Sequence, residues 1–578
     1  MSTQGTAEGP INTQSSESND SSSSTHTANS NIKHEGGEPK PFDGQDLERS
    51  GAGELTDGDE DSNLIASRTV SRKLTCSEEL LEKASRSDKP IPSMGKGRDY
   101  PPPPPAEKDD YLVIFDGPDD PMFPPNWSMK KKVVNCFVVI VTALAVSLGS
   151  AMFSQSSAHV EEIFHVGWTV ATLGTSLFVF GFASGPIIWG PLSELFGRRI
   201  VLFCSMFGYV CFCFAVATAK DIQTIMICRF FSGFVGASPL VVCPAVTADL
   251  FRAASRGKAM AGFGAVLFGG PMLAPIFGGF TVKNPHLGWR WTSYFTALVG
   301  VVALILVTFL LDETHHPLIL VRRAEEIRRR TGNRAIHAAH EEISLSFKEI
   351  VENNISRPLK MLFVEPILFL ITLYNAFVYG LLYLFLTAVP LVFGVNYRFS
   401  QGVAELPYIS MFIGVWIGGI IIILFENRYY KIMMRDGKIR PEERLPGMMV
   451  GSFLFSIGLF WLGWTGDYPE HIHWIVPTIG SSFIGAGLIL IFLPCITYII
   501  DVYLYVAASA LAGNAFLRSA FGAAFPLFAR QMFVNMHIKW ASTLMGCVSV
   551  VLIPVPFLFY KYGAKIREKS KYAYNMGL

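Results

Sequence analysis

Two arginines of this sequence lie inside long apolar segments. Arg229 falls about a third of the way into one segment, and Arg518 lies near the middle of another, beside Asn514. A charged side chain at membrane depth is costly, so it indicates a function by default. The alternative for Arg229 is a structural arginine that backbone carbonyls satisfy or that reaches the membrane interface. Together with acids near the ends of apolar segments, they form the candidates for proton coupling: Arg229, Glu365, Glu405, Asp501 and Arg518.

A second unusual group consists of the glycines and prolines of segment 262–279. This density would disrupt a helix in water, but within a membrane it allows helices to pack closely and to kink. We therefore expect the segment to be a spanning helix in close contact with its neighbours. The residues to which we assign this role are Gly262, Gly270, Pro271, Pro275, Gly278 and Gly279.

Residues 190–199 read GPLSELFGRR and combine glycines, one acid and two bases. Gly190 and Gly197 permit a tight turn and close helix approach. Glu194 can form ion pairs with Arg198 and Arg199 that stabilise one conformational state. Anchoring by positive charge alone would explain the arginines but not the glycines or the acid.

A cluster of aromatic and amide side chains could bind a cationic ligand. Aromatic faces attract cations, and amide and hydroxyl groups supply hydrogen bonds. Tyr379 and Tyr383 are four residues apart and share a helix face, whereas Tyr374 is five residues from Tyr379, so only part of the set can line one cavity. Packing is the alternative role for each tyrosine. The candidates are Tyr374, Asn375, Tyr379, Tyr383 and Asn514.

Signals for an enzyme, a metal or a cofactor are missing. No G-x-x-x-x-G-K-[ST] phosphate loop occurs, so an ATP-driven pump is excluded. The histidines of the central region lie in a charged loop, and we assign no metal to them: His315, His316, His337 and His340. We expect no enzyme activity and no cofactor, and we expect the energy for transport to come from an ion gradient or from the substrate's own gradient.

The elements that must position these residues are membrane spans. Of the 578 residues 50% are hydrophobic and only 16% are charged, with a mean hydropathy of +0.35, whereas soluble domains carry about 25% charged residues. Apolar runs of about 20 residues, long enough to cross a bilayer, recur from residue 133 onward. We predict spans at 133–153, 169–190, 200–219, 223–247, 258–281, 291–311, 366–394, 405–425, 447–465, 473–498, 505–529 and 540–560.

The predicted fold is an all-α membrane protein with twelve transmembrane helices in two six-helix halves. A tail rich in Ser, Asn, Gly, Asp and Glu precedes them and is expected to be disordered. The predicted division is a disordered cytoplasmic tail at 1–110, a first half at 111–311, a cytoplasmic central loop at 312–362, a second half at 363–562 and a cytoplasmic tail at 563–578.

Basic residues alternate strongly between the two sides of the predicted membrane. Lys130 to Lys132, Arg198, Arg199 and the arginine-rich central loop all fall on one side, which places both termini in the cytoplasm. Two halves of six helices match the plan of secondary transporters, in which repeats surround a site at the membrane midplane. A channel is disfavoured because the sequence shows neither a filter-like loop nor an acidic ring.

Three of these segments resemble motifs of the major facilitator superfamily. Residues 190–199 resemble its cytoplasmic loop motif, and 228–239 resemble its fourth-span motif, whose arginine is linked to proton coupling. Residues 262–279 resemble the motif that marks proton antiporters, although Pro275 departs from the simplest form. Segments 115–121 and 313–317 look like those of fungal twelve-span drug:proton antiporters. Further segments look closest to the yeast polyamine transporters of that group: 357–359, 363–366, 404–409 and 569–574.

The resemblance implies a proton-coupled antiporter that exports polyamines (spermine, spermidine and putrescine) and amphipathic drugs, including azole-type antifungals, by alternating access. It implies a monomer in the lipid bilayer, with protons and lipophilic cations as partners and no nucleic acid. The plasma membrane is the expected location, with the vacuolar membrane as alternative. A nutrient importer of the same fold and a transporter-like sensor without flux remain as alternative functions.

Overall fold

The computed structural model describes residues 92–96, 111–117, 119–342, 356–436, 440–503 and 506–572. Nearly all of the predicted tail, 1–110, lies outside the described residues. The first half and the central loop contain helices α1 Met129–Met152, α2 Ser157–Ile163, α3 Trp168–Leu195, α4 Arg198–Thr218, α5 Ile222–Leu250, α6 Ala253–Lys283, α7 Arg290–Leu310 and α8 His316–Thr331.

The second half contains helices α9 Arg357–Val364, α10 Pro366–Val389, α11 Tyr408–Asp436, α12 Leu445–Gly466, α13 Ile475–Val502, α14 Ala507–Leu552 and α15 Pro554–Glu568. A π-helical turn, Pro390–Asn396, extends α10. The halves meet where α3 packs against α14 and where α6 packs against α11. We call the end of the bundle that carries the start of α1 and the helix α8 the proximal end, and the opposite end the distal end.

In the described part of the chain, eleven helices are long and apolar enough to cross a membrane. The last of them, Ala507–Glu568, contains the predicted eleventh and twelfth spans. His537 separates these spans with φ 61° and ψ 158°, values outside the helical region. The polar connection predicted at 530–539 is therefore a break of one residue, because no glycine or proline stops either helix earlier.

The outer surface of the bundle carries large apolar side chains. Phe309 is 77% exposed, Val551 74% and Phe363 72%. Apolar surface of this extent on helices of spanning length is stable in contact with lipid, where backbone groups are satisfied within each helix. The chain is a multi-pass membrane protein.

The chain just before α1 packs onto the central loop. Arg323 on α8 is buried and forms ion pairs of 2.7 Å with Asp116 and 2.8 Å with Asp120. Met94, predicted to lie in the disordered tail, is fully buried in an apolar cluster with Ile327. Residues 92–96 are therefore an ordered exception to the tail prediction, because an apolar side chain and a buried cation both require partners. We call this contact the juxtamembrane clasp.

Candidate functional site

A closed pocket between the two halves contains part of the predicted aromatic set. Tyr379, Tyr383 and Arg518 line it, together with Phe268 and Ser147. The rings of the two tyrosines are 5.2 Å apart at their centroids. The hydroxyl of Tyr383 donates a 2.9 Å hydrogen bond to Ser150 Oγ on α1. The shared helix face that their spacing predicts thus lies at the interface between the halves.

The remaining members of the predicted set do not line this pocket. Tyr374 is fully buried and contacts Ser452 on α12. Asn375 Nδ2 donates to Asn514 Oδ1 at 3.1 Å, and Asn514 Nδ2 donates to Thr372 Oγ1 at 3.2 Å. These amides join α10 to α14, while Asn375 Oδ1 has no partner in the described part of the chain. Their assignment to the cavity wall stays a prediction.

Arg518 lies against two aromatic rings of the second half. Its guanidinium carbon is 4.9 Å from the Tyr379 ring centroid and 5.1 Å from that of Phe492. Among the described residues, its Nε has no hydrogen-bond partner. A cation held mainly by ring faces leaves hydrogen-bond donors for a ligand.

Arg229 is held by carbonyl groups and rings of its own half. Its Nε donates to Gly174 O at 2.8 Å and its Nη1 to Gly149 O at 3.0 Å. The guanidinium carbon lies 4.4 Å from the Phe178 ring centroid and 4.8 Å from that of Phe153. Within the described part of the chain, Nη2 lacks a partner. Arg229 therefore joins α5 to α1 and α3 through backbone carbonyls, which is the structural role given above as its alternative. Its Nη2 remains available as a hydrogen-bond donor.

The glycines of α6 meet residues of both halves. A Cβ on Gly279 would lie 2.9 Å from Glu405 Cγ, and one on Gly278 would lie 3.0 Å from Gln155 Cγ. A Cβ on Gly270 would collide with Ser147. Gly262 differs, because no atom lies within 4 Å of its Cβ position. Close contact thus applies to three of the predicted glycines, while Pro271 lines the closed pocket and Pro275 lies inside the helix.

Glu405 is 2% exposed and lies at the interface between the halves. The amide of Gln155 is within hydrogen-bonding reach of its carboxyl group. In the described residues its Oε2 has no partner. A cavity of about 330 Å³ at the distal end is lined by Glu405, Gln155, Thr175 and Trp168, among others. We call this cavity the distal vestibule.

Charged residues at the proximal end pair differently from the prediction. Arg198 Nε is 3.3 Å from Asp249 Oδ2, and Arg198 Nη1 donates to Ser193 Oγ at 2.7 Å. Glu313 accepts the backbone N–H groups of Arg198 at 2.9 Å and Arg199 at 3.2 Å. Glu194 is exposed, and no ion pair to it occurs in the described part. The acids that hold this turn are therefore Asp249 and Glu313.

Gly197 allows this turn to form. Its φ of +89° lies in the left-handed region, and the Cβ of any other residue would collide with Glu313. The glycine thus brings the start of α4 close to the carboxylate that accepts its first N–H groups. Gly190, by contrast, has only the Val241 side chain near its Cβ position, at 3.8 Å.

Two further acids among the candidates make structural contacts at the proximal end. Asp501 Oδ2 accepts from Arg444 Nε at 2.5 Å and from the Tyr429 hydroxyl at 3.1 Å. Glu365 accepts from Ser570 Oγ at 2.5 Å and from the Lys571 backbone N–H at 3.1 Å. Glu365 thus joins the start of the second half to the end of the chain.

Comparison with known proteins identifies the family. Residues 137–526 match the model of the Major Facilitator Superfamily. The chain belongs to this superfamily. It is 63% identical over 555 residues to the major facilitator superfamily multidrug transporter FLU1 of Candida albicans, across 95% of this chain and 91% of that protein. It is 49% identical over 516 residues to the multidrug transporter TPO1_2 of Candida glabrata, across 89% of each.

A solved structure of the superfamily shares the fold. The xylose transporter XylE from E. coli, in a partially occluded inward-open conformation, aligns with a TM-score of 0.54 and 17% identity. The alignment covers 75% of this chain and 98% of that one. As a major facilitator protein, the chain is a transporter and not an enzyme.

Sequence reasoning missed several residues of this major facilitator site. Asp249 closes the fourth span and Arg444 precedes the ninth, and the sequence analysis assigns a role to neither. Gln155 and Thr175 carried no signal that separated them from other polar residues of their spans. The position of Asp249 gives one signal, since an acid at the end of an apolar helix needs a partner, but it does not indicate which residue that partner is.

Proposed function

We propose that this chain is a proton-coupled antiporter that exports polyamines and amphipathic drugs by alternating access. Spermine, spermidine, putrescine and azole-type antifungals are the proposed substrates. The resemblance of α6 to the proton-antiporter motif supports the exchange mechanism. Relatives named multidrug transporters support a broad range of small molecules.

One observation carries the proposal: glycines of α6 form close contacts on both sides of the interface between the halves. Gly270 and Gly278 meet Ser147 and Gln155 of α1 and the turn after it, whereas Gly279 meets Glu405 of the second half. A helix with little side-chain bulk on two sides allows the halves to rock against each other without steric interlocking.

The side chains at this interface suit cationic and amphipathic ligands. Tyr379, Tyr383 and Phe268 offer ring faces in the closed pocket, and Glu405 supplies a carboxyl group in the distal vestibule. Ring faces attract lipophilic cations and also accept uncharged aromatic drugs. This combination fits a transporter of varied substrates better than a sugar site, which would need more hydrogen-bonding groups.

We further propose that the proximal end faces the cytoplasm of a monomer in the plasma membrane. Support comes from the basic residues at this end, which include Arg198 and Arg199 and the arginines of α8. Export would then release substrate at the distal end.

The decisive experiment uses purified protein in sealed vesicles with an imposed pH gradient. Spermine and an azole should each be driven against their gradients only when protons flow in the opposite direction, and a protonophore should stop both. Flux that requires ATP, or that a protonophore leaves unchanged, would refute the proposal. Uptake of label into cells would instead support the importer, and ligand-dependent tail phosphorylation without flux would support the sensor.

A further inference from the structure

The distal vestibule contains buried polar atoms that point to a ligand. Glu405 and Thr175 both line it, and Oε2 of Glu405 and Oγ1 of Thr175 are buried and have no hydrogen-bond partner in the described part of the chain. Trp168 lines the same cavity, and its Nε1 is also without a partner there. Buried polar groups in native proteins are nearly always hydrogen-bonded, so several such atoms at one cavity need partners that the described residues do not supply.

The charges around the vestibule favour a cation. Glu405 is the acid in its lining and Arg530 is the base. Arg530 does not pair with Glu405: its Nη1 is 3.6 Å from Glu161 Oε2, and its guanidinium carbon is 4.3 Å from the ring centroid of Trp168, which lines the same cavity. The carboxyl group of Glu405 therefore has no cationic partner in the lining. A buried carboxylate is stable only with a compensating cation or several hydrogen bonds.

The acceptors match the donors of a primary ammonium group. Such a group carries three N–H donors and no acceptor. Glu405, Gln155 and Thr175 each present a side-chain oxygen and come from three different elements of the fold. The walls add Leu386, Pro390 and Phe399, which suit a methylene chain or an aromatic body. The volume of about 330 Å³ lies at the lower end of the range for small-ligand sites.

Glycines hold the carboxyl group in place. Gly279 contacts Glu405, and Gly278 contacts Gln155. The hydrogen-bonding pair of Glu405 and Gln155 therefore packs against two consecutive residues of α6. Gly402, with φ +89°, begins the 3-10 turn Val403–Glu405 and packs against Phe280. The position of Glu405 is therefore set by backbone and close packing rather than by a flexible loop.

We propose that the distal vestibule is a binding site for the primary ammonium groups of transported cations. Glu405 is the counter-ion, and Gln155 and Thr175 supply the further acceptors. This inference rests on the proposed export function and adds a charge-selective site to it. Uncharged drugs use the aromatic pocket around Tyr379 and do not depend on the carboxylate.

The test compares Glu405→Gln with wild type in two assays. The first measures spermidine and azole binding to the purified full-length protein by calorimetry, and the second measures transport of both in vesicles. Glu405→Gln should weaken spermidine binding and raise its KM at least about tenfold, the effect of losing one charged hydrogen bond. Azole binding and transport should stay within about twofold. Glu162→Gln, which removes an exposed carboxylate at the same end, is the matched control and should change neither.

Thr175→Val provides a second variant that removes only one hydroxyl. It should weaken spermidine binding about threefold and leave the azole unaffected. Equal loss of both substrates in Glu405→Gln would assign the carboxyl group to a shared coupling step and overturn the inference. Unchanged spermidine binding would also overturn it. Failure of the wild type to transport either substrate would instead refute the export function, while the binding assay would still decide the site.

Discussion

Arg444 Nε lies 2.5 Å from Asp501 Oδ2, and this pair repeats the pair of Arg198 and Asp249 in the other half. In each half the arginine stands at the start of the third spanning helix and the aspartate near the end of the fourth. Glu426 adds a second carboxylate to Arg444 at 2.6 Å. The two halves are thus repeats in their charge contacts as well as in their helices.

We predict that Asp501→Asn impairs both stability and transport. It leaves Arg444 with one carboxylate fewer in a largely buried position, which should cost about 2 kcal/mol of unfolding free energy. Transport should fall about tenfold, because the pair fixes the ends of two helices that must move together. Thermal unfolding and vesicle flux are the measurements.

The control for this change is Glu326→Gln. Its ion pair with Arg330 is exposed at the glutamate, and exposed pairs contribute about 0 to 1 kcal/mol. If the two variants change thermal unfolding and vesicle flux equally, burial of the Arg444 pair contributes to neither stability nor transport.

Gly279→Ala should reduce transport strongly at normal membrane abundance. The new methyl group would lie 2.9 Å from Glu405 Cγ and would push α6 away from the second half. Gly262→Ala has open space around the same atom and should transport normally, with a stability gain of about 1 kcal/mol from its higher helix propensity. Normal flux in Gly279→Ala would mean that the contact is not maintained during the cycle.

Arg229→Ala should impair transport of every substrate, whereas Tyr379→Ala should affect some and spare others. Arg229 joins three helices of its half, and that connection is used with any ligand. Tyr379 contributes about 0.5 to 2 kcal/mol, and only to ligands that reach its ring. A resistance panel of polyamines and drugs, with surface abundance measured in parallel, separates the two patterns. A substrate-selective defect in Arg229→Ala would contradict the shared role.

Acidification should destabilise the protein partly through His315. Burial, with Arg198, His340 and His316 nearby, lowers the pKa of His315 to about 4. The unfolded chain binds this proton near pH 6.5, whereas the folded chain binds it only near pH 4. The contribution of His315 to the free energy of unfolding is therefore present above about pH 6.5 and is lost as the pH falls from about 6.5 to 4. His315→Gln should flatten the pH dependence of thermal unfolding in this window. An identical profile in the variant would show that other groups control it.

The spans were predictable because length and hydropathy alone define them. The Tyr379 and Tyr383 pair was also predictable, since their spacing of four fixes a common helix face. The partner of Arg198 was not: Asp249 lies 51 residues away, and only the packing of α4 against α5 brings the two together. The predicted connection at 530–539 contains the break at His537, but its length was not predictable, because no local sequence signal marks a single non-helical residue between two helices.

The juxtamembrane clasp and the contact of Glu365 with the chain end share one consequence. In the first half, Arg323 on α8 joins the chain that follows the last span to the segment that precedes α1. In the second half, Glu365 just before α10 contacts Ser570 and Lys571, which follow the last span. Each half is therefore closed on itself at the proximal end. Residues 343–355 join the two halves along the sequence. Because each half holds its own two ends together, two separately synthesised polypeptides that are divided in this segment should reassemble as the subunits of a heterodimer do.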